Sequence, residues 1–176
     1  FTGPTDLVKG GLEALNKIWK CDEPVIMEPG GNKTAVYLGI EIEREPTGEL
    51  ILHQNKYTAQ LLKKLNVTEA RAVGTTGEPS WALVPPDVSR LEEATLKMCQ
   101  EALGGLLWLS TRTRIDVAYA VSKAASKASI CPRTSWYMIR RILRYLRTNP
   151  ELGIKMVKND VLELRCFTDA SWAPGN

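Results

Sequence analysis

One stretch of this chain, Val67 to Arg90, limits what the rest can fold into. Gly74, Gly77, Pro79, Pro85 and Pro86 punctuate it, and its apolar residues follow neither a two-residue nor a helical period. No single regular element can cross it, so the chain reads as two packed parts joined by an irregular connector. At 176 residues and 44% apolar content there is enough material for a buried core, and wholesale disorder is excluded.

Before the connector the sequence alternates between helix and strand signals. Thr5 to Lys20 reads as an amphipathic helix with Thr5 or Asp6 as its cap and Leu7, Leu12, Leu15, Ile18 and Trp19 near a helical period. Cys21 to Lys33 is a loop broken by Pro24, Pro29, Gly30 and Gly31. Ala35 to Glu43 reads as a strand that alternates from Leu38 onward. Pro46-Thr47-Gly48 turns the chain, and Glu49 to His53 returns as a second strand, giving a β-hairpin with one wet face. Asn55 caps a helix over Lys56 to Leu65, whose Tyr57, Leu61, Leu62 and Leu65 share a face.

After the connector helices dominate. Leu91 to Ser110 carries Leu96, Cys99, Leu103, Leu106 and Leu107 at helical spacing. Its Gly104-Gly105 pair costs about 1 kcal/mol per glycine, which close approach of another backbone would offset. Arg114 to Ala128 follows, with Ile115, Ala118, Tyr119, Val121 and Ser122 expected inward. A third helix opens at Pro132, runs through Trp136, Ile139, Ile142, Leu143 and Leu146 to Arg147, and ends at Asn149-Pro150. Gly153 to Val157 and Val161 to Thr168 read as two strands around a Lys158-Asn159-Asp160 turn.

Charge is segregated along the chain. The formal total is +3, yet Thr111 to Lys158 holds eleven Lys and Arg against Asp116 and Glu151, a local +9 that leaves −6 for the remainder. Such a block points either to a polyanionic partner such as nucleic acid or to an ordinary solvated helix face. Arg112, Arg114, Arg140, Arg141, Arg144 and Arg147 are its candidate contact residues.

Several function classes fall away. No apolar run approaches the ~20 residues that span a bilayer, and the N-terminal residues lack the pattern of a signal peptide. One histidine and four scattered cysteines without a C-x-x-C pair argue against structural zinc and against a disulfide framework, so a reduced intracellular protein is expected. There is no phosphate-binding glycine loop and no G-x-S-x-G elbow. His53, alone on a strand, reads as structural. Asp169 stands out instead: it ends the apolar strand Leu162 to Phe167 and small residues follow it. A carboxylate so placed either presents itself to Mg²⁺ or closes an ordinary strand-end turn.

Five segments in order carry a family resemblance. Tyr37-Leu38-Gly39-Ile40-Glu41-Ile42-Glu43-Arg44, Leu50-Ile51-Leu52-His53-Gln54-Asn55-Lys56-Tyr57 and Leu103-Gly104-Gly105-Leu106-Leu107-Trp108-Leu109-Ser110 running on to Asp116-Val117-Ala118-Tyr119-Ala120-Val121 are three of them. Arg141-Ile142-Leu143-Arg144-Tyr145-Leu146-Arg147 and Phe167-Thr168-Asp169-Ala170-Ser171-Trp172-Ala173 complete the set. Together they resemble the Pol polyprotein of copia-type LTR retrotransposons, from the C-terminal part of reverse transcriptase into the start of ribonuclease H.

The resemblance implies an α+β fold: a palm-remnant β-hairpin with helices, a helical thumb and connection region, and an incomplete ribonuclease H-like sheet at the C-terminus. Residues 1–66 would end the palm, 67–90 connect, 91–150 form the helical region and 151–176 begin ribonuclease H. Tyr37, Leu38 and Gly39 match the primer grip. Gly39 either permits close approach of a nucleic-acid backbone or forms a plain bulge. Asp169 matches the first of the carboxylates that bind two Mg²⁺ ions in ribonuclease H, with Ser171 where a second Asp is frequent. The family's polymerase site is a Tyr-x-Asp-Asp turn, expected ahead of Phe1, and no Asp-Asp occurs in this chain. The parent activity is RNA-directed DNA synthesis with removal of the RNA strand, while this fragment is expected to be inactive alone. Its expected partners are an RNA–DNA hybrid or primer-template and the rest of the polyprotein, with no membrane. Its expected place is the cytoplasm or nucleus, and a virus-like particle in the parent element. A non-catalytic nucleic-acid-binding module and an inert relic of a decayed element remain the alternatives.

Overall fold

The computed structural model describes residues 3–27, 34–77, 93–157, 166 and 168. They form an α+β arrangement of five α-helices and one four-stranded antiparallel sheet.

The sheet is built from β1 (Thr34–Tyr37), β2 (Ile40–Arg44), β3 (Leu50–His53) and β4 (Ile154–Met156), in that spatial order. The sequence reading treats Ala35 to Glu43 as one strand, whereas the structure folds it into a hairpin, with Tyr37 opposite Ile40. Leu38 at φ 48° and Gly39 at φ 76° make the two-residue turn, the left-handed pair that matches the strand twist. A leucine in that region costs about 1–2 kcal/mol, which is why the turn is hard to read from sequence. The expected turn after Glu45 is present, and Arg44 pairs with Leu50 beyond it.

β4 comes from more than a hundred positions later in the chain and pairs with β3, Ile154 opposite Leu52 and Met156 opposite Leu50. Gly153 makes this possible, because a Cβ there would run into the carbonyl of Leu52. Lys155 then bonds both Glu45 (3.0 Å) and Glu49 (2.7 Å) across the sheet. The expected strand Val161 to Thr168, apart from Cys166 and Thr168, lies outside the described residues, and so does Asp169.

Helix α1 (Thr5–Ile18) buries none of its residues, and the segment after it is tied to the sheet where Arg44 donates to the Met27 carbonyl at 2.7 Å. Helix α2 (Asn55–Lys64) starts directly after β3. Its N-terminus is capped from the sheet, the Lys56 N–H donating to Glu41 Oε1 at 2.9 Å, which explains why Glu41 is buried on an otherwise alternating strand. Asn66 at φ 53° closes the helix, with Asn66 N–H on the Lys63 carbonyl and Val67 N–H on the Leu62 carbonyl, a Schellman ending.

Helices α3 (Glu93–Arg112), α4 (Ala118–Ala128) and α5 (Pro132–Thr148) pack on one another, and α3 and α5 also pack on α2. Cys99, Ala102, Leu106 and Leu109 of α3 meet Ala120, Val121 and Ala124 of α4, and Ile139, Ile142, Leu143 and Leu146 of α5. Leu61, Leu62 and Val67 join the same core, so residues on both sides of the connector share it. The glycine pair divides its roles. A Cβ at Gly105 would lie 2.9 Å from Leu61 Cδ1, marking the close approach of α2, while Gly104 faces open space.

Between α3 and α4 the chain makes a 3₁₀ turn, Ile115–Val117, instead of continuing the expected helix from Arg114. That turn resets the helical phase. Val117, Ala120, Val121 and Ala124 point inward, and Ile115, Tyr119 and Ser122, expected inside, are exposed.

Candidate nucleic-acid interface

Helix α5 dictates the main basic surface. Pro132 sits in its first turn and its apolar residues at 138, 139, 142, 143 and 146 face the core. Ser135 fastens it to α4 by donating to the Ala124 carbonyl at 2.9 Å. The opposite side of the helix then faces outward, and Arg133, Tyr137, Arg140, Arg144 and Arg147 recur there at steps of four, three, four and three. No Asp or Glu occurs between Pro132 and Thr148.

The arginines of this face are held in place by the first residues of the connector. Arg144 Nε donates to the Arg71 carbonyl at 2.7 Å, Arg147 Nη1 to the Ala70 carbonyl at 2.6 Å and Arg141 Nη2 to Thr75 Oγ1 at 2.7 Å. The Val73 N–H donates to Thr148 Oγ1 at 3.1 Å. The carbonyls that hold Arg144 and Arg147 are neutral, so these two bonds fix the guanidinium groups without cancelling their charge. Arg133, Trp136, Tyr137, Arg140, Arg141 and Arg144 line a cleft of about 250 Å³. Of these, sequence reasoning singled out Arg140, Arg141 and Arg144. It missed Arg133 and Tyr137, although their helical spacing to Arg140 was readable, and placed Trp136 on the core side alone.

Arg114 behaves differently from its neighbours in the basic block. It is 1% exposed. Its Nε lies 3.0 Å from Asp116 Oδ1 and its Nη2 2.8 Å from Oδ2, a two-point ion pair, and its Nη1 donates to the Asn149 carbonyl at 2.8 Å. The guanidinium also stands 5.8 Å from the centre of the Tyr145 ring. Burial pushes the Asp116 carboxyl up, but the hydrogen bonds and charge of Arg114 outweigh it and hold the group below its ordinary value. Burial and the neighbouring Asp116 raise the Tyr145 hydroxyl. This geometry makes Arg114 a brace between the 3₁₀ turn and the end of α5, turned away from any surface.

The other expected contact residues lie apart from the cleft. Arg112, in the last turn of α3, stacks over the Trp108 ring at 4.6 Å. Tyr37 and Leu38 are exposed at the β1–β2 turn, with Gly39 beside them. Asp169 is outside the described residues, and among the described residues no group of three or more His, Cys, Asp or Glu is placed to hold a metal ion. A two-metal site needs several carboxylates around the ion pair. His53 is buried on β3; its Nδ1 accepts the Asn55 N–H at 3.4 Å and its Nε2 lies 3.2 Å from Glu43 Oε1, a structural setting as expected from the sequence. Among the described residues no helix is long and apolar enough to cross a membrane.

Comparison with known proteins yields no matching family model and no matching solved structure. Among curated proteins, the chain is similar to the retrovirus-related Pol polyprotein from transposon RE2 of Arabidopsis thaliana, 32% identical over 169 residues and 96% of this chain. It is also similar to the corresponding polyprotein from transposon RE1 of the same plant, 35% identical over 137 residues and 78% of the chain. A third relative is the polyprotein from transposon TNT 1-94 of Nicotiana tabacum, 30% identical over 141 residues and 77% of the chain. The chain spans 11%, 9% and 10% of the lengths of these three. The chain belongs to the family of retrovirus-related Pol polyproteins of copia-type transposons.

Proposed function

We propose that this segment holds nucleic acid for its polyprotein at the passage from reverse transcriptase into ribonuclease H, and carries out neither reaction alone. The observation that carries the reading is α5: an outward face of arginines, Arg140, Arg144 and Arg147 among them, on a helix with no acidic residue. Phosphate oxygens are the partner such a face fits, because guanidinium groups pair with them in two-point contacts and no carboxylate on the helix competes. The five family segments support the placement along the polyprotein, with Tyr37, Leu38 and Gly39 at the primer grip and Arg112 as a further phosphate contact.

Asp169 is proposed as the first ribonuclease H carboxylate, with Mg²⁺ as the ion the complete enzyme would use. The absence of an Asp-Asp pair supports the expectation that the chain itself does not extend primers. The test is binding of the purified chain to an RNA–DNA hybrid across a salt series. A phosphate-binding face gives affinity that falls steeply with salt, and an inert relic gives no binding at physiological salt.

A further inference from the structure

The cleft on α5 holds more than charge. Four guanidinium groups and two aromatic rings line it, and among the described lining residues there is no carboxylate. Trp136 is half-buried with its inner side against the core, so its position is fixed by packing, and Tyr137 beside it is half-exposed. Arg144 is held by the Arg71 carbonyl and keeps its full charge. A ring held by packing, an exposed ring beside it and a fixed cation next to them are the chemistry that receives an unpaired base and its phosphate. Aromatic faces stack on any base, and arginines follow the backbone. The volume, about 250 Å³, lies just below the range of about 300–1,000 Å³ for pockets that enclose drug-sized ligands, which suits one ring and its sugar.

We propose that this cleft takes one nucleotide of a single-stranded DNA or RNA segment, its base against Trp136 and Tyr137 and its phosphates against Arg140 and Arg144. The inference rests on the nucleic-acid reading above and deepens it. A duplex can satisfy the arginines through its phosphates, but its bases are stacked internally and cannot enter. An unpaired strand uses both halves of the cleft, and it does so without sequence preference because every base has a π-face.

The experiment compares two labelled strands by fluorescence anisotropy with the full chain: a short oligothymidylate, and the same backbone with abasic sites in place of its central bases. Backbone charge is equal, so stacking alone separates them. The abasic strand is expected to bind at least about fivefold more weakly, the equivalent of one stacked base. Tyr137→Leu should narrow that gap and Tyr137→Phe should keep it, since the ring does the work and the hydroxyl does not; Trp136→Phe, which preserves core contact, gives an independent check. Equal affinity for the two strands overturns the proposal while leaving phosphate binding intact if the RNA–DNA hybrid still binds. A gap that Tyr137→Phe abolishes also overturns it. Failure of every nucleic acid to bind overturns both this proposal and the reading beneath it.

Discussion

Arg114 grips Asp116 with two parallel hydrogen bonds, 3.0 and 2.8 Å long, across the 3₁₀ turn that separates α3 from α4. The same guanidinium reaches the Asn149 carbonyl at the end of α5. The turn and the end of α5 are thereby fixed at one buried cation. Removing Arg114 leaves a partly buried carboxylate and an orphaned carbonyl, whereas removing the Asp116 charge leaves the cation buried without its counter-charge.

Arg114→Ala is accordingly expected to destabilise the fold by about 3 kcal/mol, the lower end for breaking a buried pair, because the Asp116 side chain retains 31% exposure. Urea unfolding measures it. A loss under about 0.5 kcal/mol would mean that Arg114 is not a brace.

Acid should weaken the same contact. The folded Asp116 carboxyl titrates below its ordinary value, so its contribution is complete above the unfolded value of about 3.9 and drains away as pH falls through the lower folded value. Melting temperature against pH for the wild type and Asp116→Asn should therefore differ most near neutrality and converge in strong acid. Parallel curves would contradict the assignment.

The two adjacent glycines of α3 should respond oppositely. Gly104 is exposed, helical and unobstructed, so Gly104→Ala should stabilise by about 0.5–1 kcal/mol. Gly105→Ala gains the same propensity but drives a methyl into Leu61 and Tyr57, so its net effect should be zero or destabilising. Thermal melts of the two variants decide it.

In a longer chain of the polyprotein that includes the remaining carboxylates, Asp169→Asn should abolish Mg²⁺-dependent cleavage of the RNA strand and leave the melting temperature unchanged. The amide keeps the shape but removes the charge that opposes the ions. Normal cleavage would refute the site, and unfolding would make Asp169 a turn residue.

Helix periodicity made α3 and α5 legible within a few residues, because their apolar positions repeat over several turns. The burial of Arg114 was hidden for a different reason: charge argues for the surface, and only the folded chain shows that Asp116 and the Asn149 carbonyl together hold the guanidinium inside. The phase of α4 was misread since a 3₁₀ turn advances fewer residues per turn than an α-helix, which turned Tyr119 from an expected core residue into an exposed one. The Leu38-Gly39 turn and the pairing of β4 with β3 were likewise out of reach. The first places a leucine where glycine or asparagine is usual, and the second is a contact between distant residues that no local pattern encodes. For the cleft, the stripe from Arg133 through Tyr137 to Arg140 and Arg144 was readable from helical spacing, but the part of Trp136 was not, because that ring serves the core as well.

The measurement that bears most directly on the proposed role is the salt dependence of RNA–DNA hybrid binding by the wild type and by Arg140→Ala/Arg144→Ala. The account expects the wild-type log K to fall linearly with log[salt], and the double variant to bind more weakly to every duplex sequence with a slope shallower by about one to two units, roughly one for each phosphate no longer neutralised. A wild-type slope near zero, or a slope unchanged by the two substitutions, would contradict it and make the face of α5 a solvated helix surface.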